Sequence, residues 1–522
     1  MSAPALTIIY HPVLSRIGER IILGQLIDSG RAAKISRDTS FQVPDSTYPG
    51  TPLNEPHVSR KPCLLSRTHD GSLLLRRDQC RSALVANGTA VTDDYPISKA
   101  QLARGVILEL ADHVALLLHE HRAISEDGTG DLGLVGHSGA IVEVRQNIRR
   151  VAPHDSMSVL IRGETGTGKE PVAQAIHAAS NRRRKEMYSV NLTTHPGSMA
   201  ATALFGSIKG AYTGATAQPG YFRAADGSTL FLDEIGELKD DVQVMLLRVL
   251  ETKQVTALGS QRDEQVDVRV IAATDADLEA KSERGEFRAP LLHRLSQYVI
   301  DIPPLRQRRD DIARLMMHFL GIELRQHDQA DLLRQRVPQP WLPMDIVVQM
   351  VRYDWTGNVR ELKNFVATLV VNNLDKSSAS LSPHWQKRLD RERQSPAPSA
   401  AAAASATTSN APGRAAPATP PLTRRALARK PLDELTGDDI IAALESNDYE
   451  LRRAARQLGI SHNTLAKLRA ELTSLRAVKD ISDDEIQTCG DRHHGDISTM
   501  AAKLGVSRRA LLKRLKKMGI KR

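Results

Sequence analysis

Apolar positions change rhythm three times along the 522-residue chain. In the first 120 or so residues, short apolar runs at 6–10, 73–75, 83–85, 106–110 and 114–118 are separated by Gly, Pro, Asp and Asn. That spacing predicts a small β-sandwich over 1–121. From 134 to 374, strand-like runs at 159–161, 188–190, 229–232, 268–273 and 298–302 alternate with helix-compatible stretches. Such alternation predicts a parallel sheet covered by helices. Near the C-terminus the rhythm is helical and repeats: 454–461 followed by Leu465 aligns with 500–507 followed by Leu511. Each copy follows a helix-like stretch that starts at an Asp pair, Asp438-Asp439 or Asp483-Asp484. Small residues, Leu-Gly at a tight turn, then a polar helix start is helix-turn-helix spacing, so two such units are expected at 433–475 and 480–522.

Between these blocks lie a short polar linker near 122–132 and a segment at 394–423 made of Ala, Pro, Ser and Thr, which cannot bury a core and reads as a flexible linker. The fold class is therefore multidomain: an N-terminal β-sandwich, a central α/β unit and an all-α helix-turn-helix end. A length of 522 residues agrees with roughly three to four such units.

Charge adds a partner class. The net charge is +10, and residues 503–522 hold nine Lys or Arg and no acid, so the positive field is concentrated where the second helix-turn-helix falls. Only Cys63, Cys80 and Cys489 are present, too far apart for a disulfide framework or zinc spacing. No apolar run approaches a membrane span, and the N-terminus lacks a signal-peptide pattern. A soluble, reducing, cytoplasmic protein with no membrane partner is expected.

The central unit carries the chemistry. The apolar residues Val159, Leu160 and Ile161 lead into Gly163-Glu164-Thr165-Gly166-Thr167-Gly168-Lys169, followed by a helix-compatible stretch. This is the strand, phosphate loop and helix of a P-loop NTPase. The glycines let backbone N–H groups turn onto phosphate oxygens, the helix N-terminus adds a favourable dipole, and Lys169 reaches the outer phosphates. Glu170 stands where the general pattern has Ser or Thr to hold magnesium. Downstream, 229–232 is an apolar strand ending in Asp233-Glu234. Asp233 can hold Mg2+, and Glu234 can polarise the water that attacks the γ-phosphate of ATP. Between the two motifs, Gly210-Ala211-Tyr212-Thr213-Gly214-Ala215 predicts a mobile loop with an exposed aromatic at its tip, which points to contact with a partner.

That loop resembles the Gly-Ala-Phe-Thr-Gly-Ala signature of the bacterial enhancer-binding proteins, the AAA+ activators of sigma-54 RNA polymerase, with Tyr212 in place of Phe. The resemblance covers the whole central unit and implies an AAA+ ATPase with a helical lid, assembled as a hexameric ring. In that family Glu follows the phosphate-loop Lys, so Glu170 looks like a family trait. Asn191 is similar to the switch asparagine that would hold Glu234 from water. Arg288 and Arg294 match the segment that supplies arginine fingers to a neighbouring subunit, which would make the chemistry depend on a homo-oligomer. Arg360, in Trp355-Thr356-Gly357-Asn358-Val359-Arg360, resembles the second sensor. The first sensor departs from the family: Ala273-Thr274-Asp275 replaces Ala-Thr-Asn, and an ionised Asp cannot donate to phosphate. Either Thr274 senses, or Asp275 points elsewhere, or turnover is slowed.

The ends carry two further resemblances. Arg37, Ser59 and Asn87 stand in an order similar to forkhead-associated domains, which implies a phosphothreonine partner: Arg37 and Ser59 would take the phosphate and Asn87 the peptide backbone. Ser36 and Pro62 depart from that family's Gly and His. The C-terminal repeats resemble Fis-type domains, implying double-stranded DNA at upstream enhancer sites, read by His462, Asn463 and Lys467 in copy one and Arg508, Arg509 and Lys513 in copy two. Lys513, Arg514, Lys516 and Lys517 would add phosphate contacts. The implied function is an ATP-hydrolysing activator of sigma-54 polymerase. Two alternatives stand beside it: a DNA-binding regulator with a slow or degenerate ATPase switch, and a phosphopeptide-docking module bound to DNA.

Overall fold

The computed structural model describes residues 2–44, 48–122, 130–194, 198–211, 216–333, 340–394 and 483–492, together with 465, 500, 511 and 514. The chain divides into two compact units, Met1–Ala402 and Ala403–Arg522.

Along with a short two-stranded sheet, Ser40–Phe41 with Thr51–Pro52, the N-terminal residues form two large antiparallel sheets. One orders the strands Arg20–Ile22, Ser2–Tyr10, Val114–Arg122, Val106–Leu110, Leu84–Ala86 and Thr89–Ala90. The other orders Asp94–Ile97, Leu73–Arg76, Cys63–Arg67 and Ala33–Ile35. Leu6, Ile8, Leu108, Leu116 and Leu118 from the first meet Ile35, Leu65 and Leu75 from the second in a shared core. Side chains alternate across a strand, so the residues between these point the other way. Those residues are apolar too: Ile9, Tyr10, Ile107, Ala115 and Leu117 join a second cluster, made with the helices that follow the central sheet. An antiparallel strand covered on both faces needs a nearly unbroken apolar run, which 114–118 supplies outright and 5–10 supplies with Thr7 as its one polar residue, its hydroxyl bonded to His119 and Arg20.

The central sheet is parallel, in the order Met187–Asn191, Thr229–Asp233, Arg269–Thr274, Val159–Arg162, Tyr298–Asp301. Leu160, Val190, Leu230, Leu232, Val270 and Ala272 face one helical layer. Val159, Ile161, Phe231, Ile271, Ala273 and Ile300 face the other. Every strand C-terminus therefore emerges at one edge, where open α/β sheets bind ligands.

The helices Ile312–Gln326, Met344–Arg352, Asn358–Val371 and Pro383–Gln394 form the lid. The last lies beyond the expected boundary at 374, because Trp385 and Leu389 complete the lid's core. Trp385 sits 4.9 Å from the Phe365 ring and 6.3 Å from Trp355. In the C-terminal unit, the helix Asp483–Arg492 starts at the Asp pair noted in the sequence. Leu465 and Leu511, equivalent in the repeat, are both fully buried. No helix among the described residues is long and apolar enough to cross a membrane.

Candidate nucleotide site

The phosphate loop joins the strand Val159–Arg162 to the helix Lys169–Ala178. Gly166 and Gly168 hold φ of 80° and 105°, backbone that side-chain-bearing residues rarely adopt. At Gly166 space is also closed, since a Cβ there would lie 2.3 Å from the Gly357 carbonyl. Lys169 Nζ donates to the Gly163 carbonyl at 3.1 Å and pairs with Glu234 Oε1 at 3.3 Å. Glu170 is exposed in the first helical turn, where a carboxylate suits the dipole. The Thr167 hydroxyl donates to the Glu164 carbonyl at 2.8 Å, closing the loop on itself.

Asp233 and Glu234 end the strand Thr229–Asp233, and Glu234 takes a left-handed φ of 58°. Burial pushes the Glu234 carboxyl above its ordinary range, opposed by the Lys169 charge and reinforced by Asp275. Asn191 Nδ2 donates to Asp233 Oδ2 at 3.2 Å, so the asparagine engages Asp233 while Glu234 engages Lys169. Asp275 does not point elsewhere. Its Oδ2 accepts from the Thr165 hydroxyl at 2.6 Å, and that bond holds the carboxyl below its ordinary range, with Lys169 adding to the effect. Thr274 is buried, its hydroxyl accepting from Ala276 N at 3.0 Å and its carbonyl from Gly163 N at 3.2 Å.

The lid closes over this loop through Arg360 and through Asn358, Arg306 and Arg308, to which the sequence motifs gave no role. Asn358, fully buried, accepts from Leu305 N through Oδ1 at 2.8 Å and donates through Nδ2 to the Thr165 carbonyl at 3.1 Å and Glu164 at 3.2 Å. Arg306 grips both Glu164 oxygens, at 2.8 and 2.5 Å, which holds that carboxyl below its ordinary range. Arg360 is exposed, and its backbone N–H donates to the Gly166 carbonyl at 3.2 Å. The buried Arg308 donates to the Thr167 carbonyl at 3.3 Å. The signal that could have found Asn358 is the Gly357-Asn358 pair at a helix start, where Asn358 takes φ 52°. Beside the loop, Leu134, Gly168, Val172, Ile302, Phe319 and Val359 line a cavity of about 170 Å³. Its largely apolar walls could hold a flat heterocycle beside the phosphate loop. Arg308 also lines it, its Nε without a hydrogen-bond partner among the described residues.

The two finger candidates stand away from this cluster on exposed surface. Arg288 makes a two-point ion pair with Asp240, both bonds 2.7 Å, just before the helix Ala289–Leu295. The buried Gln243 fixes that turn, accepting from Arg288 N at 2.8 Å and donating to the Glu286 carbonyl at 3.0 Å. Arg294 lies 3.6 Å from Glu251. Gly210 and Ala211 end a turn beside Leu258 and Gly259. Tyr212, Thr213, Gly214 and Ala215 lie outside the described residues, as do His462, Asn463, Lys467, Arg508, Arg509 and Lys513.

In the sandwich, Arg37 and Ser59 are neighbours, with Arg37 N donating to the Ser59 carbonyl at 3.0 Å. The Arg37 guanidinium is turned onto backbone, to the carbonyls of Val58 at 3.0 Å and of Pro56. Ser59 Oγ accepts from Lys61 N at 3.0 Å. Asn87 accepts from Ile107 N at 2.9 Å and itself holds φ 49°.

A five-stranded parallel sheet, a glycine loop following the strand Val159–Arg162 between its central and edge strands, and a helical lid closing on that loop define an AAA+ ATPase that binds ATP. Three family models match the chain: the Sigma-54 interaction domain over 134–301, the AAA+ ATPase lid domain over 306–400, and Bacterial regulatory protein, Fis family, over 477–518. The chain is 38% identical over 357 residues to the transcriptional regulatory protein ZraR of Escherichia coli K12, covering 67% of this chain and 72% of ZraR. It is 37% identical over 393 residues to the nitric oxide reductase transcription regulator NorR1 of Cupriavidus necator, covering 72% of this chain and 73% of that one. With the regulatory protein LuxO of Vibrio cholerae it shares 43% identity over 234 residues, 45% of this chain and 42% of LuxO. The chain belongs to the sigma-54-dependent enhancer-binding proteins, transcriptional regulators with an ATPase domain and a Fis-type helix-turn-helix.

Proposed function

We propose that the chain binds upstream DNA, assembles into a ring, hexameric as in its family, and uses ATP hydrolysis to press the Tyr212 loop on sigma-54 polymerase and remodel the closed promoter complex. The observation that carries this reading is the division of the catalytic set. Lys169, Asp233 and Glu234 converge at one sheet edge, while Arg288 is displayed on open surface by Gln243. An arginine facing outward would act on a neighbour's nucleotide, leaving its Asp240 pair to neutralise charge developing on the γ-phosphate.

Within one subunit, Lys169 exchanges Glu234 for phosphate oxygens when nucleotide enters. The freed Glu234 carboxylate, its proton affinity raised by burial, then orients water and accepts its proton. Asp233 would hold Mg2+, which supplies charge neutralisation at the phosphates. Asn191 orients Asp233, and through it the strand end from which Glu234 projects. Arg360, beside Gly166, carries lid position to the phosphates. The experiment is a pair of variants. Lys169→Ala loses hydrolysis, whereas Tyr212→Ala keeps hydrolysis but fails to bind sigma-54 with a transition-state nucleotide analogue. Normal engagement by the second variant contradicts the loop assignment.

The slow-switch reading has an observation of its own: Asp275 lies against the phosphate loop, where its charge opposes that of the nucleotide. Steady-state turnover at background level would favour it. At the N-terminus, the double sheet supports a forkhead-associated-like domain for a phosphothreonine protein, with Arg37, Ser59 and Asn87 as its contacts. Arg37 must leave the Pro56 and Val58 carbonyls to do so. Calorimetry with phosphothreonine peptides tests this, and equal responses from wild type and Arg37→Ala remove its basis. The two C-terminal repeats would read DNA from a cytoplasmic protein.

A further inference from the structure

At one end of the sandwich, Glu55, His57 and His113 each place one potential metal-ligating atom within 4.8 Å of those of the other two. The two imidazoles come from different loops and stack in parallel, ring centres 3.8 Å apart and planes 2° from parallel. Glu55 is the buried member: its side chain is 8% exposed, and its Oε1 meets His57 Nδ1 at 2.7 Å. A carboxylate removed from water asks for a cation or several donors. We propose that these three residues form a divalent metal site, with two imidazole nitrogens, one carboxylate oxygen and an open position for water. Two nitrogens and one oxygen select a borderline cation, zinc first, over the all-oxygen preference of magnesium or calcium.

Both loops are held in place before any metal arrives. Arg37 donates to the Pro56 and Val58 carbonyls on either side of His57. The buried Ser82 hydroxyl accepts from Ser59 N at 2.7 Å and lies 3.4 Å from the His57 carbonyl. His113 follows Ala111 and Asp112, with φ of 53° and 55°, in the tight hairpin between Val106–Leu110 and Val114–Arg122. Such prior ordering lowers the entropic cost of binding. Zinc bonds of 2.0–2.2 Å set tetrahedral ligands about 3.3 Å apart, so the 2.7 Å His57–Glu55 contact must open as the three ligand atoms, all within 4.8 Å of one another, turn onto the metal. His57, with a side chain 59% exposed, has room to turn. Metal would then pin the 54–59 loop, which carries Ser59, to the 111–113 hairpin.

The test is calorimetric titration of Zn2+ into the full-length protein after stripping with EDTA, alongside His57→Asn/His113→Asn, with Co2+ as a spectroscopic stand-in. Wild type is expected to take up one more equivalent than the double variant and to show a visible Co2+ band that the variant lacks. Glu55→Gln is expected to weaken that equivalent at least tenfold. Equal stoichiometry and equal Co2+ spectra in wild type and double variant overturn the site, leaving a surface ring stack only. Thermal melts in EDTA check that the double variant folds. If it does not, His113→Asn alone, on the hairpin, must show the same loss of one equivalent.

Discussion

Asp275 is the residue on which the slow-switch reading rests. It receives a hydrogen bond from Thr165 inside the phosphate loop and holds a negative charge near Lys169 and Glu234. Each tenfold in rate corresponds to about 1.4 kcal/mol in the barrier, and one misplaced charge at a phosphate site is of that order. Asp275→Asn is therefore expected to raise kcat about tenfold in a steady-state ATPase assay, while an unchanged or lower kcat would show that the carboxylate does not oppose the phosphates. The substitution of Asp for Asn was legible in the sequence, but its direction was not, because side-chain orientation depends on Thr165, 110 residues away.

His119 gives a second residue-level expectation. Its Nδ1 faces the Glu120 carbonyl at 3.1 Å and its Nε2 the Thr7 hydroxyl at 2.9 Å, which suits a neutral ring. Burial, with the Arg20 charge adding to it, lowers its pKa to about 3. The unfolded chain, with a His near 6.5, binds the proton that the folded chain refuses, so stability is full above pH 6.5 and falls as pH drops toward 3. The slope attached to this group is about 1.4 kcal/mol per pH unit. Buried Asp310 and Asp311, whose carboxyls are pushed up, act in the opposite sense. Comparing denaturant midpoints of wild type and His119→Gln at pH 7 and pH 5 isolates the histidine: wild type is expected to lose about 2 kcal/mol more, and parallel losses would contradict its neutral burial.

Among the elements, the parallel sheet was the most legible, because period and length agree on strands such as 229–233, and a glycine loop marks where its ligand lies. The lid was less so. The helix Pro383–Gln394 follows the Asp375-Lys376-Ser377-Ser378 break and is polar over most of its length, so only Trp385 and Leu389 betray that it packs. Trp385→Ala is expected to cost about 3–5 kcal/mol by opening a cavity beside Trp355 and Phe365. Chemical denaturation would read this as a lower midpoint, and a shift worth under 1 kcal/mol would mean that the helix is not part of the lid core. The arginine-finger candidates and Asn358 differ in the same way. Arg288 carries a motif, whereas the Gly357-Asn358 pair marks a helix start without disclosing that Asn358 reaches Leu305 and Thr165, 53 and 193 residues away.

Across Met1–Ala402, the sandwich and the lid share one apolar core. Tyr10 donates to the Leu342 carbonyl at 3.1 Å, Arg352 pairs with Glu109 at 2.9 Å, and buried Arg20 pairs with Asp310 at 2.9 Å. The reading of 1–121 as a separate sandwich missed this, because a two-faced apolar strand looks like a sandwich strand until its second partner is known. Removing 1–121 would expose Ile346, Val347 and their neighbours along with the buried Asp310. The truncated chain is expected to aggregate or bind a hydrophobic dye, and a soluble truncation with wild-type melting and turnover would contradict the shared core.

The central claim is that hydrolysis at the Lys169–Glu234 site, completed by arginines from a neighbouring subunit, drives the Tyr212 loop against sigma-54 polymerase. Open-complex formation on a sigma-54 promoter, with purified polymerase and ATP, measures it most directly. Wild type is expected to open the promoter. Lys169→Ala and Arg288→Ala, each inactive alone, are expected to recover partial activity when mixed, since each supplies what the other lacks across a shared interface. Opening by Arg288→Ala alone, or by wild type with a non-hydrolysable nucleotide, would contradict the account.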